Sequence, residues 1–368
     1  MPLANDSYRN VPTLTDGTDL LNLAWTLDEG TCLDVDLQQA LADQLRHEVT
    51  GGLPSVNSYL VRDPYGEELL GPAVAALFPG TGEESDLVTG AGVISLLHCL
   101  VRLAGDRPVY VIGDVYPDLP HWADVAGVGC VSRHDVGGGP DHAANAVAVG
   151  AGLVLLERPA LTGEQVDLAT VEALCAATAG QGTVVLVDES YANYHPPGYS
   201  ALPLTSRLSN LVVVRGLAKA YGMGGLRLGF AVSSRALRAR IRAAVPPMLA
   251  SSLSLRLGRA VLALGDITAG LRSRVETARR ETLAALAGAG LEAPLSASRY
   301  VPFLFYPADD HPAAVALRDR GIVGKRHVHW SERSRATADR YRLSVPLRPD
   351  RLLLLRTRLA AGPAPAAR

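Results

Sequence analysis

Val184-Val185-Leu186-Val187-Asp188-Glu189-Ser190-Tyr191 sets four consecutive apolar residues directly before a carboxylate. The run is short and mostly β-branched, so it reads as a strand buried on both faces. A carboxylate placed there stands at the carboxyl end of a parallel strand, the edge at which open α/β sheets hold their ligands. The competing reading is that Asp188 caps the following turn. Similar runs occur at Ser85–Thr89, Val109–Gly113, Cys130–His134, Gly152–Glu157, Leu211–Arg215 and Leu228–Val232. Helical spacing at Val93–Leu103, Leu119–Ala126 and Leu168–Ala177 separates several of them. Buried strands interleaved with helices predict an α/β domain with a mainly parallel sheet between helices.

Beyond about residue 235 the pattern changes. Arg235–Ala244, Ala250–Leu264 and an Arg- and Glu-rich stretch to Ala289 read as helices, with Pro246-Pro247 breaking the first from the second. Short strands at Tyr300–Phe305, Gly321–Lys325 and Tyr341–Val345, with helices at His311–Arg320 and Asp350–Ala360, predict a smaller C-terminal α/β domain. The expected organisation is an N-terminal arm with part of the small domain over 1–45. A large ligand-binding domain follows over 46–245, then the small domain over 246–361 and a disordered tail over 362–368.

A second segment carries chemistry. Arg215-Gly216-Leu217-Ala218-Lys219-Ala220-Tyr221-Gly222-Met223-Gly224-Gly225-Leu226-Arg227 follows another buried strand. Lys219 and Lys325 are the chain's two lysines among 35 basic residues, a bias that a GC-rich genome would also produce. Arginine cannot form an imine or give up its proton near neutral pH, whereas lysine does both. An amine, an arginine and close-approach glycines suit an aldehyde cofactor that carries a phosphate, with Asp188 pairing a cationic ring nitrogen. The alternative is that Lys219 and Arg227 are surface charges on a glycine-rich loop.

Together, Asp188-Glu189-Ser190-Tyr191 and the segment from Ala218 to Gly229 resemble two motifs, D-E-A-Y and S-K-x-x-G-L-x-G-x-R-x-G. Both belong to the fold-type I pyridoxal-phosphate enzymes of aminotransferase class I/II, nearest the histidinol-phosphate aminotransferase branch. The resemblance runs from about Tyr59 to Leu359. It implies that Lys219 holds pyridoxal 5′-phosphate covalently and later moves protons. Asp188 would keep the ring nitrogen protonated, Tyr191 would hydrogen-bond the ring oxygen, and Arg227 would bind the phosphate. Gly92 and Val93 would begin the helix that faces the phosphate. Tyr116 would stack on the ring, and Arg342 would grip the substrate carboxylate. Tyr341 is expected to point away from the site, and Arg340 to lie at the surface. Tyr59, with Tyr65 as competitor, would reach the phosphate of a neighbouring subunit, making the active unit a homodimer.

The chain also departs from that pattern. Thr162-Gly163 is kept, but Ala160 stands where an asparagine usually bonds the ring oxygen. Gly216, Ala218 and Val93 replace hydroxyl residues of the phosphate cup. Lys325-Arg326-His327-Val328-His329-Trp330 resembles, weakly, the end of oxygen-using pyridoxal-phosphate enzymes that oxidise arginine in antibiotic pathways. A histidine or tryptophan there would line the substrate pocket, unless the stretch is an ordinary small-domain strand. These features lead to an aminotransferase of specialised, natural-product biosynthesis. The alternatives are a β-eliminating C–S lyase, an oxidative deaminase or decarboxylating oxidase, and a non-catalytic cofactor-binding pseudoenzyme.

Composition narrows the rest. A net charge of −2 argues against a nucleic-acid partner, and Arg9 and Arg46 are the only Lys or Arg in the first fifty residues. No apolar stretch approaches the roughly 20 residues of a membrane helix. Met1–Asp16 has no apolar centre, so a cytoplasmic protein without a signal peptide is expected. Cys32, Cys99, Cys130 and Cys175 are scattered, and neither they nor the nine histidines suggest a metal site. Gly90-Ala91-Gly92 lacks the further glycine of a dinucleotide loop.

Overall fold

A computed structural model describes residues 20–361 apart from 27, 58, 60, 83, 163, 296 and 297. Gly163, residues 1–19 and 27 of the expected arm and the expected tail at 362–368 lie outside the described residues. The strands are β1 (Leu21–Asn22), β2 (Ser85–Ala91), β3 (Val109–Ile112), β4 (Cys130–Val131), β5 (Leu153–Glu157) and β6 (Val184–Asp188). They continue with β7 (Leu211–Gly216), β8 (Leu228–Ser234), β9 (Phe303–Tyr306), β10 (Ile322–Val323), β11 (Lys325–Ser331) and β12 (Ala336–Ser344). Seven of them form one sheet in the order β2-β8-β7-β6-β5-β3-β4, in which only β8 runs against the rest.

Side-chain alternation explains why the central strands are apolar at every position. Val185 and Val187 of β6 pack with Leu211 and Val213 of β7 on one face, against Leu70 and Val171 from the helices Glu67–Leu77 and Leu168–Thr178. Val184 and Leu186 pack with Val212 and Val214 on the other face, against Leu96 and Ile241 from Val93–Leu100 and Arg238–Ala244. Each strand therefore feeds two cores at once.

Three strand expectations change, one of them Tyr341–Val345, which begins earlier as β12 (Ala336–Ser344). Cys130–His134 shortens to β4, because the Ser132 N–H and hydroxyl donate to Asp135 Oδ2 at 2.6 and 3.0 Å and turn the chain. Gly321–Lys325 divides at Gly324, where a Cβ would come within 2.5 Å of the Arg342 carbonyl. Before that glycine β10 pairs in parallel with β1, and after it β11 forms a hairpin with β12, which pairs onward with β9.

Helix Ser252–Ala263 places Leu255, Val261 and Leu262 in the large-sheet core, which extends to Ile267, past the expected boundary at 245. The second core is built mainly from Leu271 onward, and it also takes in Leu21 and Leu23 from the N-terminal segment and Leu161, Tyr194 and Ala220 from loops of the large sheet. That segment is fastened by an ion pair of Arg351 with Asp28 at 3.0 Å and by Arg351 Nη2 donating to the Asn22 carbonyl.

The turn after β6 is held by a buried charge cluster. Glu189 is 0% exposed, lies 2.6 Å from Arg215 Nη1 and 3.4 Å from Arg158 Nη1, and accepts from the Ala201 N–H at 2.7 Å and from the Ser200 hydroxyl. Removing one partner of such a pair leaves a charge in a dry interior. Arg215→Met is therefore expected to destabilise the fold by about 3 kcal/mol or more, read as a lower urea midpoint at unchanged slope. A midpoint within error of the parent would contradict this.

Candidate functional site

Strands β3, β5, β6 and β7 end at one edge of the sheet, β8 begins there, and the hairpin β11–β12 closes over it. The closure is a backbone bridge in which Val115 and Trp330 exchange N–H···O bonds of 3.1 Å. Between these elements lies a cavity of about 230 Å³. It is lined by Lys219, Asp188, Tyr191, Arg227, Tyr116, Gly92, Val93 and Arg342, every expected site residue except Tyr59. Tyr59 is 87% exposed and outside the cavity. Tyr65 also lies outside, with its ring under the Arg242 guanidinium.

Asp188 ends β6 at 5% exposure, and its Oδ1 accepts from the Ser190 N–H and hydroxyl at 2.8 and 2.6 Å. Burial pushes its carboxyl upward, while the Ser190 bonds and the Lys219 ammonium pull the other way. Lys219 sits in the turn after β7, its Nζ 4.9 Å from the centre of the Tyr191 ring. The turn is closed by the Gly222 N–H donating to the Lys219 carbonyl at 2.8 Å, with Gly222 at φ +68°. Among the described residues, neither Asp188 nor Lys219 forms an ion pair. A buried carboxylate and an amine that face one cavity and form no ion pair mark a place suited to a polar group.

At one end of the cavity Arg227, itself at φ +53°, donates to the Ala91 and Gly224 carbonyls at 3.1 and 3.2 Å. Its guanidinium lies against Gly92, where a Cβ would come within 2.7 Å of Nη2. Gly92, at φ +81°, precedes helix Val93–Leu100, so the arginine and the helix amides converge on one point suited to an anion. Two of the three hydroxyl replacements fit one another. A Cβ on Gly216 would lie 2.9 Å from Val93 Cγ2, so the glycine and the valine occur as a matched pair.

At the other end Arg342 of β12 donates to the Ala24 carbonyl at 2.7 Å and lies 4.4 Å over the Phe303 ring. Lys325, His327 and His329 of β11 also line the cavity, whereas Trp330 serves the bridge to Val115. Asp114 follows β3 and lies 3.3 Å from His329 Nε2 and 3.5 Å from Arg340, and its Oδ2 accepts from the Thr162 hydroxyl at 2.9 Å. Burial would raise its carboxyl, but these partners bring it down to about 2. Arg340 is thus not the surface residue expected. It shares a strand face with Arg342, while buried Tyr341 points the other way as anticipated.

Asp114, Glu157 and Trp25 went unread in the sequence. Glu157 lines the cavity beside Asp188, with which it is in register across β5 and β6. Burial and then the Asp188 charge push its carboxyl well above the ordinary range. Trp25 joins the wall from the N-terminal segment. Ala160 is 2% exposed and does not line the cavity, so its loop presents Glu157, Leu161 and Thr162 instead. Asp114 and Glu157 had a signal, since each stands, like Asp188, at the end of a buried strand. Trp25 had none. No cluster of three metal-ligating side chains occurs among the described residues, and no helix there is long and apolar enough to cross a membrane.

Comparison with known proteins gives the same picture. The family model for aminotransferase class I and II matches residues 54–349. A threonine-phosphate decarboxylase of Sinorhizobium sp is 30% identical over 234 residues, 62% of this chain and 64% of that protein. Histidinol-phosphate aminotransferase 2 of Thiobacillus denitrificans is 27% identical over 268 residues, 72% of this chain and 73% of that one. Among solved structures, a histidinol-phosphate aminotransferase from Clostridium acetobutylicum shares the fold at a TM-score of 0.70. Its sequence identity is 13%, and the match covers 93% of this chain and 98% of that one.

Proposed function

The chain belongs to the aminotransferase class I and II family, whose cofactor is pyridoxal 5′-phosphate, and from that premise we propose that it removes the α-proton of an amino acid and transfers its amino group. The observation that carries this reading is that Asp188 and Lys219, neither of them in an ion pair among the described residues, share one cavity with Arg342. The cavity fits the group. Arg227 and the amides beginning at Val93 would take the phosphate, in the space that Gly92 leaves open. Asp188 would bind the ring nitrogen, Tyr191 the ring oxygen and Tyr116 a ring face, while Lys219 would bond the aldehyde carbon. When bound, the cofactor supplies an electron sink that makes the α-proton acidic. Lys219 takes that proton and returns it, and Arg342 orients the substrate by its carboxylate. Tyr59, exposed on this chain, would reach the phosphate site of a second copy, making a cytoplasmic homodimer the working unit.

The histidines of β11 favour a second reading, in which the same α-carbon chemistry ends in elimination or oxidation within a natural-product pathway. Product analysis on an amino-acid panel separates the outcomes. Keto acid without ammonia supports amino transfer, and keto acid with stoichiometric ammonia supports the second reading. Release of carbon dioxide without either identifies a decarboxylase, and tight cofactor binding with no product at all identifies a binding protein.

Gly92→Ala tests the phosphate end. Its Cβ would force Arg227 away and its φ is unfavourable for alanine, so retention of pyridoxal phosphate should weaken about tenfold or more. Unchanged retention in equilibrium dialysis would remove Arg227 from the phosphate site.

A further inference from the structure

The hairpin gathers basic side chains on one face. Register sets Lys325 directly across from Arg342, and His327 across from Arg340. Like charges placed opposite each other destabilise a strand pair, and a mostly buried cation needs a counter-charge. Arg340 has one in Asp114, which also lies 3.3 Å from His329 Nε2. Lys325 does not. Among the described residues its amine forms no ion pair and rests 4.1 Å from the centre of the Trp25 ring. The groups facing it are Arg342 from β12, His327 from its own strand and Lys219 from the turn after β7, with no carboxylate among them. Burial, then Arg342 and Lys219, pull the Lys325 amine down to about 6. An anion arriving between Lys325 and Arg342 would relieve the repulsion and the desolvation together.

We infer that Lys325 is the second cation of the substrate-carboxylate site: the carboxylate docks between Lys325 and Arg342 beside the Trp25 ring, and Lys325 takes up a proton as it does. The proton comes from solvent, and no covalent bond between heavy atoms is made or broken. This inference rests on the role proposed for Arg342. It makes Lys325 a binding group that selects for the carboxylate and makes affinity depend on pH.

The test is calorimetric titration of the pyridoxal-phosphate-loaded protein with propionate, in two buffers of different ionisation enthalpy, at pH 6, 7 and 8. With the Lys325 amine held well below the ordinary lysine range by burial and then by Arg342, affinity should fall about tenfold or more from pH 6 to pH 8, with net proton uptake per propionate at pH 7. Lys325→Met should weaken binding at pH 6 by about tenfold and lose most of the slope and the proton uptake. Any slope remaining in that variant belongs to other groups. A Lys325→Met protein that keeps the parental slope and proton count overturns the inference. So does one with unaltered propionate binding but reduced kcat, which would make Lys325 an acid–base group instead. Arg342→Met separates the two levels: unchanged propionate binding there removes the Arg342 assignment itself. Lost binding in Arg342→Met with no effect of Lys325→Met removes only the present inference.

Discussion

Replacing Lys219 with alanine should abolish turnover, with kcat falling by about 10⁴-fold or more, because one side chain both anchors the cofactor and moves the proton. The cavity offers no equivalent in place. The other amine, Lys325, comes from the hairpin and sits against Trp25, whereas Lys219 stands on the turn that follows the sheet beside Tyr191. Removing Lys219 takes away no hydrogen bond that closes its turn, since those are made by backbone groups. The variant should therefore fold normally and lose only chemistry. Borohydride reduction of the loaded parent should fix one cofactor on the peptide that contains Lys219, and the variant should carry none. Label on Lys325 in the parent would contradict the assignment.

Asp188→Asn should lower kcat by about 10² to 10³-fold, equivalent to roughly 3–4 kcal/mol of lost electrostatic stabilisation. The amide preserves shape, and its oxygen can still accept from the Ser190 N–H and hydroxyl, so the turn and the melting temperature should hold. What disappears is the negative charge that would keep a ring nitrogen protonated. Because Asp188 raises the neighbouring Glu157 carboxyl, its neutralisation should also let Glu157 ionise at lower pH than in the parent. Kinetics at saturating substrate, followed across pH, would read both effects. A variant with parental kcat would show that Asp188 only caps its turn.

Much of this site was legible because strand ends are legible. Runs such as Val184–Val187 and Leu211–Val214 can be buried on both faces only within a covered parallel sheet, so the residues that follow them must gather at one edge. Asp188 and Lys219 follow such runs, Arg227 stands at the start of the next one, and the motif they share points to the family. The hairpin was harder. Only Val328 and Trp330 of Lys325–Ser331 are apolar, too short an alternation to set a strand apart from a polar loop. Arg340 was misread because a strand taken to start at Tyr341 in fact starts at Ala336, which puts Arg340 on the cavity face. Ala160 shows a different limit. Matching it to a motif position gave its neighbours in sequence, while its side chain is set by how the loop folds, away from the cavity.

The most direct test of the central assignment, that Lys219 removes an α-proton within this cavity, is hydrogen exchange at the substrate. The loaded protein is incubated with a panel of amino acids in deuterium oxide, and the α-hydrogen of each is followed by NMR. At least one amino acid should lose its α-hydrogen to solvent with the parent protein and keep it with Lys219→Ala. Retention of the α-hydrogen in every amino acid, with the cofactor demonstrably bound to Lys219, would contradict the account.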